Sequence, residues 1–111
     1  MINIELPFGE KIKILRESKK MTLKELSALL GIDTSMLGKI EKGTRQANPS
    51  IITKLSEIFN ITESELNVSM ISDQIADQVV KRYNQQAKQI LKVAEQKVAY
   101  RTRSKPEKIE K

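Results

Sequence analysis

The chain contains no cysteine, no histidine and no tryptophan, and aromatics make up 4% of its 111 residues. Without thiols or imidazoles it has no disulfide, no thiolate zinc site, no thiol nucleophile and no histidine acid–base catalyst. Nothing else pairs a nucleophile with a base, so no enzyme, cofactor or metal is implied. The lack of cysteine fits a reducing compartment. No apolar run approaches the roughly 20 residues a bilayer crossing needs, and no basic-then-apolar leader opens the chain. A soluble cytoplasmic protein is therefore expected, without a membrane partner or an evident small-molecule ligand. Period-two β-branched runs are missing as well. What is present is Ala, Leu, Ile, Glu, Gln and Lys at helical spacing, which predicts an all-α chain. The length suits one compact domain plus an appendage.

The net charge of +6 is unevenly placed. Residues 1–68 carry ten basic and nine acidic side chains, whereas residues 69–111 carry ten against five. Attraction of the first portion to phosphate must therefore come from local placement rather than from its overall charge.

The stretch TLKELSALLGIDTSMLGKIEKG, from Thr22 to Gly43, reads as two short helices around a tight turn. Leu26, Leu30, Ile32, Leu37 and Ile40 are apolar at helical spacing on both sides of Gly31. Thr22 and Asp33 are suited to cap the helices, and Gly43 to stop the second. A helix-turn-helix of this shape can push its second helix into the DNA major groove while the first crosses the backbone. Upstream, MINIELP is an extended lead-in to a helix from Phe8 to about Lys19, with Phe8, Ile12 and Leu15 on one face. Downstream, Asn48-Pro49 starts a helix whose stripe is Ile52, Leu55, Ile58 and Phe59, ended by Asn60. Thr62-Glu63-Ser64-Glu65 is a capping box for a short fifth helix through Leu66.

From Ser69 onward the apolar residues Ile71, Ile75, Val79, Tyr83, Ala87, Ile90/Leu91, Ala94 and Val98 recur in steps of three or four. That predicts one long amphipathic helix, or a helical hairpin broken near Tyr83-Asn84. The expected division is a DNA-binding domain over 1–68, a helical extension for packing or dimerisation over 69–101, and a basic, solvated, disordered tail over 102–111. Asp73 and Asp77 read as exposed helix carboxylates without a role. Lys11, Lys13, Lys19 and Lys20 read as a solvated face of the first helix.

With these residues placed, 8–66 resembles the Cro/repressor-type (lambda-repressor-like, xenobiotic-response-element family) helix-turn-helix regulators, five-helix DNA-binding modules. The matching elements are FGEKIKILRE, TLKELSALLGI and MLGKIEKG. KLSEIFNITESEL with the helical tail is also similar to regulators often encoded beside restriction–modification methyltransferases. The resemblance implies that Thr34, Ser35, Met36, Gly38 and Lys39 face base edges. Lys39 would reach guanine O6/N7 or a phosphate, Met36 a thymine methyl or sugar, and Gly38 would permit close approach. It implies that Thr22, Lys24, Lys42, Thr44, Arg45 and Gln46 hold phosphates, aided by the backbone N–H groups and dipole at the start of the second helix. Arg16 and Glu41 would form a structural pair locking the first helix to the end of the third. The family often has Gln directly after the Thr that opens its second helix. Here that position is Leu23, so the donor is missing.

Ile14, Leu23 and Leu29 lie where the family usually places polar residues. Together with the stripe beyond residue 69 they suggest an apolar surface covered by the carboxy-terminal helix or by a second chain. A homodimer on double-stranded DNA, with recognition helices about 34 Å apart, is the expected assembly. The expected role is a transcriptional regulator, a repressor or an activator. Leu23 and the near-neutral first portion support an alternative: an antitoxin-like or adaptor module that uses the helix-turn-helix as a scaffold for protein interaction.

Overall fold

The computed structural model describes residues 6–109, with side chains through residue 103. The lead-in residues 1–5 and the last two residues of the expected tail lie outside this range. The elements are α1 (Phe8–Ser18), α2 (Leu23–Leu30), α3 (Thr34–Lys42), α4 (Pro49–Phe59), α5 (Glu63–Tyr83), a 3-10 turn (Asn84–Gln86) and α6 (Ala87–Ile109). Among the described residues there is no strand. The chain divides into two compact units, the first ending at Gln74 and the second beginning at Ile75.

In the first unit each helix starts where a side chain can take up an orphan backbone N–H. Thr22 and Glu25 form a reciprocal capping box on α2, at 2.8 and 3.0 Å. Asp33 Oδ1 accepts from Met36 N at 2.8 Å, Asn48 Oδ1 from Ile51 N at 2.9 Å, and Thr62 Oγ1 from Glu65 N at 3.0 Å. Gly31, Gly43 and Asn60 end α2, α3 and α4 in the left-handed conformation. α1 is the exception, because Pro7 has no side chain able to cap it. Phe8 N donates instead to Asp73 Oδ2 at 2.7 Å. Asp73, expected to be idle, thus caps α1 from 65 residues away in the sequence, and it does so because helix five passes there.

The core is built from Phe8 and Ile12 of α1, Leu26 and Leu30 of α2, Leu37 and Ile40 of α3, Ile51, Ile52, Leu55 and Phe59 of α4, and Leu66 of α5. Leu15, Ile32 and Ile58, expected in the core, are partly buried against it. Helix five does not stop at Leu66. Residues 67–74 contain neither Gly nor Pro, and Leu66, Ser69, Met70 and Asp73 keep an inward-facing spacing of three and four.

The second unit holds the last turns of α5, the 3-10 turn and α6. The helix breaks after Tyr83, where Asn84 takes φ 30, a value the right-handed helix does not allow. Ala87 is buried, Val79 and Ile90 are half-buried, and Ile75, Val80, Tyr83, Leu91, Val93 and Val98 are exposed. α6 continues past Arg101 to Ile109, so the segment expected as an irregular tail is helical there. Lys, Arg and Glu are good helix formers, and charge density alone does not end a helix. Arg101, Thr102 and Arg103 are exposed.

Candidate nucleic-acid interface

The pose of α3 is set from three sides. At its start, Gly31 (φ 73) turns the chain, with Gly31 N bonding Ala28 O and Ile32 N bonding Ser27 O. Asp33 then opens the next helix two residues later. The Leu30 carbonyl that α2 leaves unpaired accepts from Lys54 Nζ of α4 at 3.2 Å. At its end, Gly43 (φ 85) donates to Ile40 O, while Thr44 N and Thr44 Oγ1 both donate to Lys39 O.

The third constraint comes from α1. Arg16 Nε donates to Glu41 Oε2 at 2.8 Å and Arg16 Nη2 to Glu41 Oε1 at 3.2 Å, a two-pronged ion pair. Arg16 Nη1 donates to Met21 O at 2.8 Å. The two side chains are only 10% and 6% exposed. The hydrogen bond that Arg16 donates to Glu41 raises the guanidinium pKa above its ordinary value, against the opposing effect of burial. A raised folded-state value means that this contribution is complete below the ordinary guanidinium pKa. It is lost only as pH rises through the still higher folded value, so it is constant across the neutral range. Above the pair, α1 and α3 touch at Gly9, where an added Cβ would stand 2.4 Å from the Ile40 and Glu41 carbonyl oxygens.

With Leu37 and Ile40 turned inward, the helical repeat puts Ser35, Gly38, Lys39 and Lys42 on the outer face of α3, with Thr34 at its edge. Thr34, Ser35, Lys39 and Lys42 are exposed and Gly38 is half-exposed. Met36 is partly buried against the core, which leaves less of it for a base than its place in the sequence implied. Thr22, Lys24, Arg45 and Gln46 are exposed as well. Among the described residues no ion pair engages Lys24, Lys39, Lys42 or Arg45.

Two expected phosphate donors are partly used within the protein. The Thr44 hydroxyl donates to Lys39 O and closes α3. The N–H groups of Thr22 and Glu25 serve the capping box, so Leu23 N and Lys24 N are the donors left at that end. Leu23 lines a shallow groove of about 560 Å³ with Ile14, Gly38 and Lys42. Gly38 itself has open space around it, with nothing within 4 Å of an added Cβ. Gly38→Ala should therefore raise stability by about 1 kcal/mol, the ordinary helix-propensity gain. A higher midpoint in thermal unfolding checks it, and a lower one would mean that this face is crowded.

Sequence reasoning passed over Gly9, Ser27 and Lys54, which pack against or cap the helix-turn-helix, and gave Asp73 no role. Gly9 and Ser27 had a signal, being a glycine and a small polar residue at buried positions of their helices. Lys54 and Asp73 had none, because their partners are remote in sequence.

Comparison with known proteins places the same segment. A family model described as Helix-turn-helix matches residues 12–66. The uncharacterized HTH-type transcriptional regulator YazB of Bacillus subtilis (strain 168) is 36% identical over 59 residues, covering 53% of this chain and 86% of that protein. The same organism's uncharacterized HTH-type transcriptional regulator RghRB is 33% identical over 61 residues, 54% of this chain and 44% of that one. Its HTH-type transcriptional repressor RghR is 36% identical over 55 residues, 49% of this chain and 41% of that one. The chain thus spans most of the first relative but less than half of the other two. No solved structure matches it. The capped α2–turn–α3 unit, the α1 clamp on α3 and these matches converge: the chain belongs to the HTH_3 (Cro/C1-type) helix-turn-helix family.

Proposed function

We propose that this protein is a sequence-specific double-stranded DNA-binding transcriptional regulator that lays the outer face of α3 in the major groove. The observation carrying this reading is that face itself. Thr34, Ser35, Gly38, Lys39 and Lys42 are accessible on a helix held from behind, and its cations form no ion pair among the described residues. Lys39 faces base edges, while Lys24, Lys42, Arg45 and Gln46 hold phosphates on either side. Thr22 keeps a hydroxyl proton for the same purpose, since its oxygen only accepts from Glu25 N. The names of the relatives support regulation, and one of them is a repressor. No helix among the described residues is long and apolar enough to cross a membrane.

Binding to a duplex selected from a random library tests the reading. Affinity should fall with salt, by about 0.9 in log–log slope for each of Lys24, Lys42 and Arg45. Lys39→Ala should relax preference at one base pair, whereas Arg45→Ala should weaken all sequences alike by a similar factor. Gly38→Ala should lose affinity while gaining stability. If neither cation change alters binding to any duplex, the assignment is wrong.

The protein is proposed to act as a homodimer. The exposed Ile75, Val80, Tyr83, Leu91, Val93 and Val98 of the second unit give it apolar surface to bury against a copy. A monomer at tens of micromolar in equilibrium sedimentation would exclude this assembly. The protein-interaction alternative draws on the groove beside Leu23, and salt-sensitive duplex binding separates the two readings.

A further inference from the structure

Ser27 is 3% exposed, in the buried register of α2, yet it carries a hydroxyl. Its Oγ lies 2.9 Å from Lys24 O and 3.3 Å from Thr34 Oγ1. A serine hydroxyl has one proton and two lone pairs. The Lys24 carbonyl is the nearer partner and can only accept, so the Ser27 proton goes there. Ser27 Oγ is then an acceptor toward α3, and the Thr34 hydroxyl donates to it. Thr34 is exposed, at the first position of α3 and at the edge of its outer face. With its proton turned inward, its oxygen offers only lone pairs outward.

We infer that Ser27 is a positioning residue for specificity, fixing Thr34 as a hydrogen-bond acceptor toward the base edge it meets. This assignment presupposes the docking of α3 proposed above. In the major groove adenine N6 and cytosine N4 are donors, whereas guanine O6 and N7 and thymine O4 accept. A free threonine hydroxyl rotates and serves both kinds. One held by Ser27 discriminates: it favours an edge carrying an amino group and leaves a carbonyl edge unpaired. The relay is local to this chain's pairing of Ser27 with Thr34, and it makes a residue that never touches DNA part of the reading of sequence.

Duplex selection followed by affinity measurement at every base-pair substitution tests this on the full chain and on Ser27→Ala and Thr34→Val. The wild type should show one position per half-site at which adenine or cytosine is preferred roughly fivefold to tenfold. Thr34→Val should erase that preference and leave the others. Ser27→Ala should admit guanine and thymine at the same position, reducing the preference to about twofold or less with affinity for the best duplex retained. A purely structural role for Ser27 would lower affinity for all sequences alike. An unchanged profile in Ser27→Ala, or a uniform loss, overturns the inference while duplex binding by the wild type still stands. If Ser27→Ala fails to fold by circular dichroism, Thr34→Val decides, and any result other than loss of an adenine or cytosine preference overturns it. A wild type that binds no duplex removes the docking reading and this assignment with it.

Discussion

Gly9→Ala should destabilise the first unit by about 3 kcal/mol, the upper end of what overpacking costs. In an open helix interior the same change would add up to about 1 kcal/mol of stability, so here the sign itself is diagnostic. The new methyl would meet the Ile40 and Glu41 carbonyl oxygens at 2.4 Å. These are backbone atoms near the end of α3, and no rotamer change can clear them. The helices must move apart, which loosens Phe8 and Ile12 from Ile40 and disturbs the Arg16–Glu41 contact. Urea unfolding followed by far-ultraviolet circular dichroism measures the loss. A midpoint equal to or above that of the wild type would show that α1 and α3 do not touch at Gly9. The contrast with Gly38→Ala is internal to one experiment: two helical glycines, the same methyl, opposite signs, because one faces a backbone and the other faces open space.

Arg16→Ala should cost a comparable amount, about 3 kcal/mol, because it leaves a buried partner uncompensated. Three guanidinium contacts vanish together, two on Glu41 and one on the Met21 carbonyl. Glu41 is left with an ionised carboxylate at a site 6% exposed. For a domain of this size that loss lowers the thermal midpoint by more than about 10 °C. Replacing both residues by apolar ones of similar volume should restore much of the stability, since the penalty lies in the orphaned charge rather than in the absence of the pair. Arg16→Lys should fall between, as an ammonium cannot make the two-pronged contact. Unchanged thermal stability with selective loss of duplex affinity would instead put Arg16 at the DNA.

Much of the first unit was legible before its structure. α2 and α3 begin and end where Thr22, Gly31, Asp33 and Gly43 mark them. Such local signals act over three or four residues, through a side-chain oxygen reaching a nearby N–H or a glycine free to take positive φ. Asn48-Pro49 and Asn60 delimit α4 in the same way. The run of the fifth helix past Leu66 was not legible, although the break near Tyr83-Asn84 was one of the two readings the sequence offered. Leu66 looked like a terminus because the apolar pattern changes there, but pattern change is not a stop signal. α5 runs on to Tyr83. The accessibility of Thr34, Ser35, Lys39 and Lys42 on α3 was legible, yet their hydrogen-bonding state was not. That Thr44 closes a helix, that Thr34 leans on Ser27 and that Met36 packs inward depend on distances no spacing rule supplies.

Sequence alone determined the all-α class, the placement of α1 to α4 and which face of α3 points outward, since these follow from helical periodicity and from caps a few residues long. Only the tertiary structure decided that Asp73 would cap α1, that Lys54 would finish α2 and that Gly9 could be nothing larger. Each joins groups dozens of residues apart. Their energies depend on how whole helices approach one another, and that is settled only when the core closes.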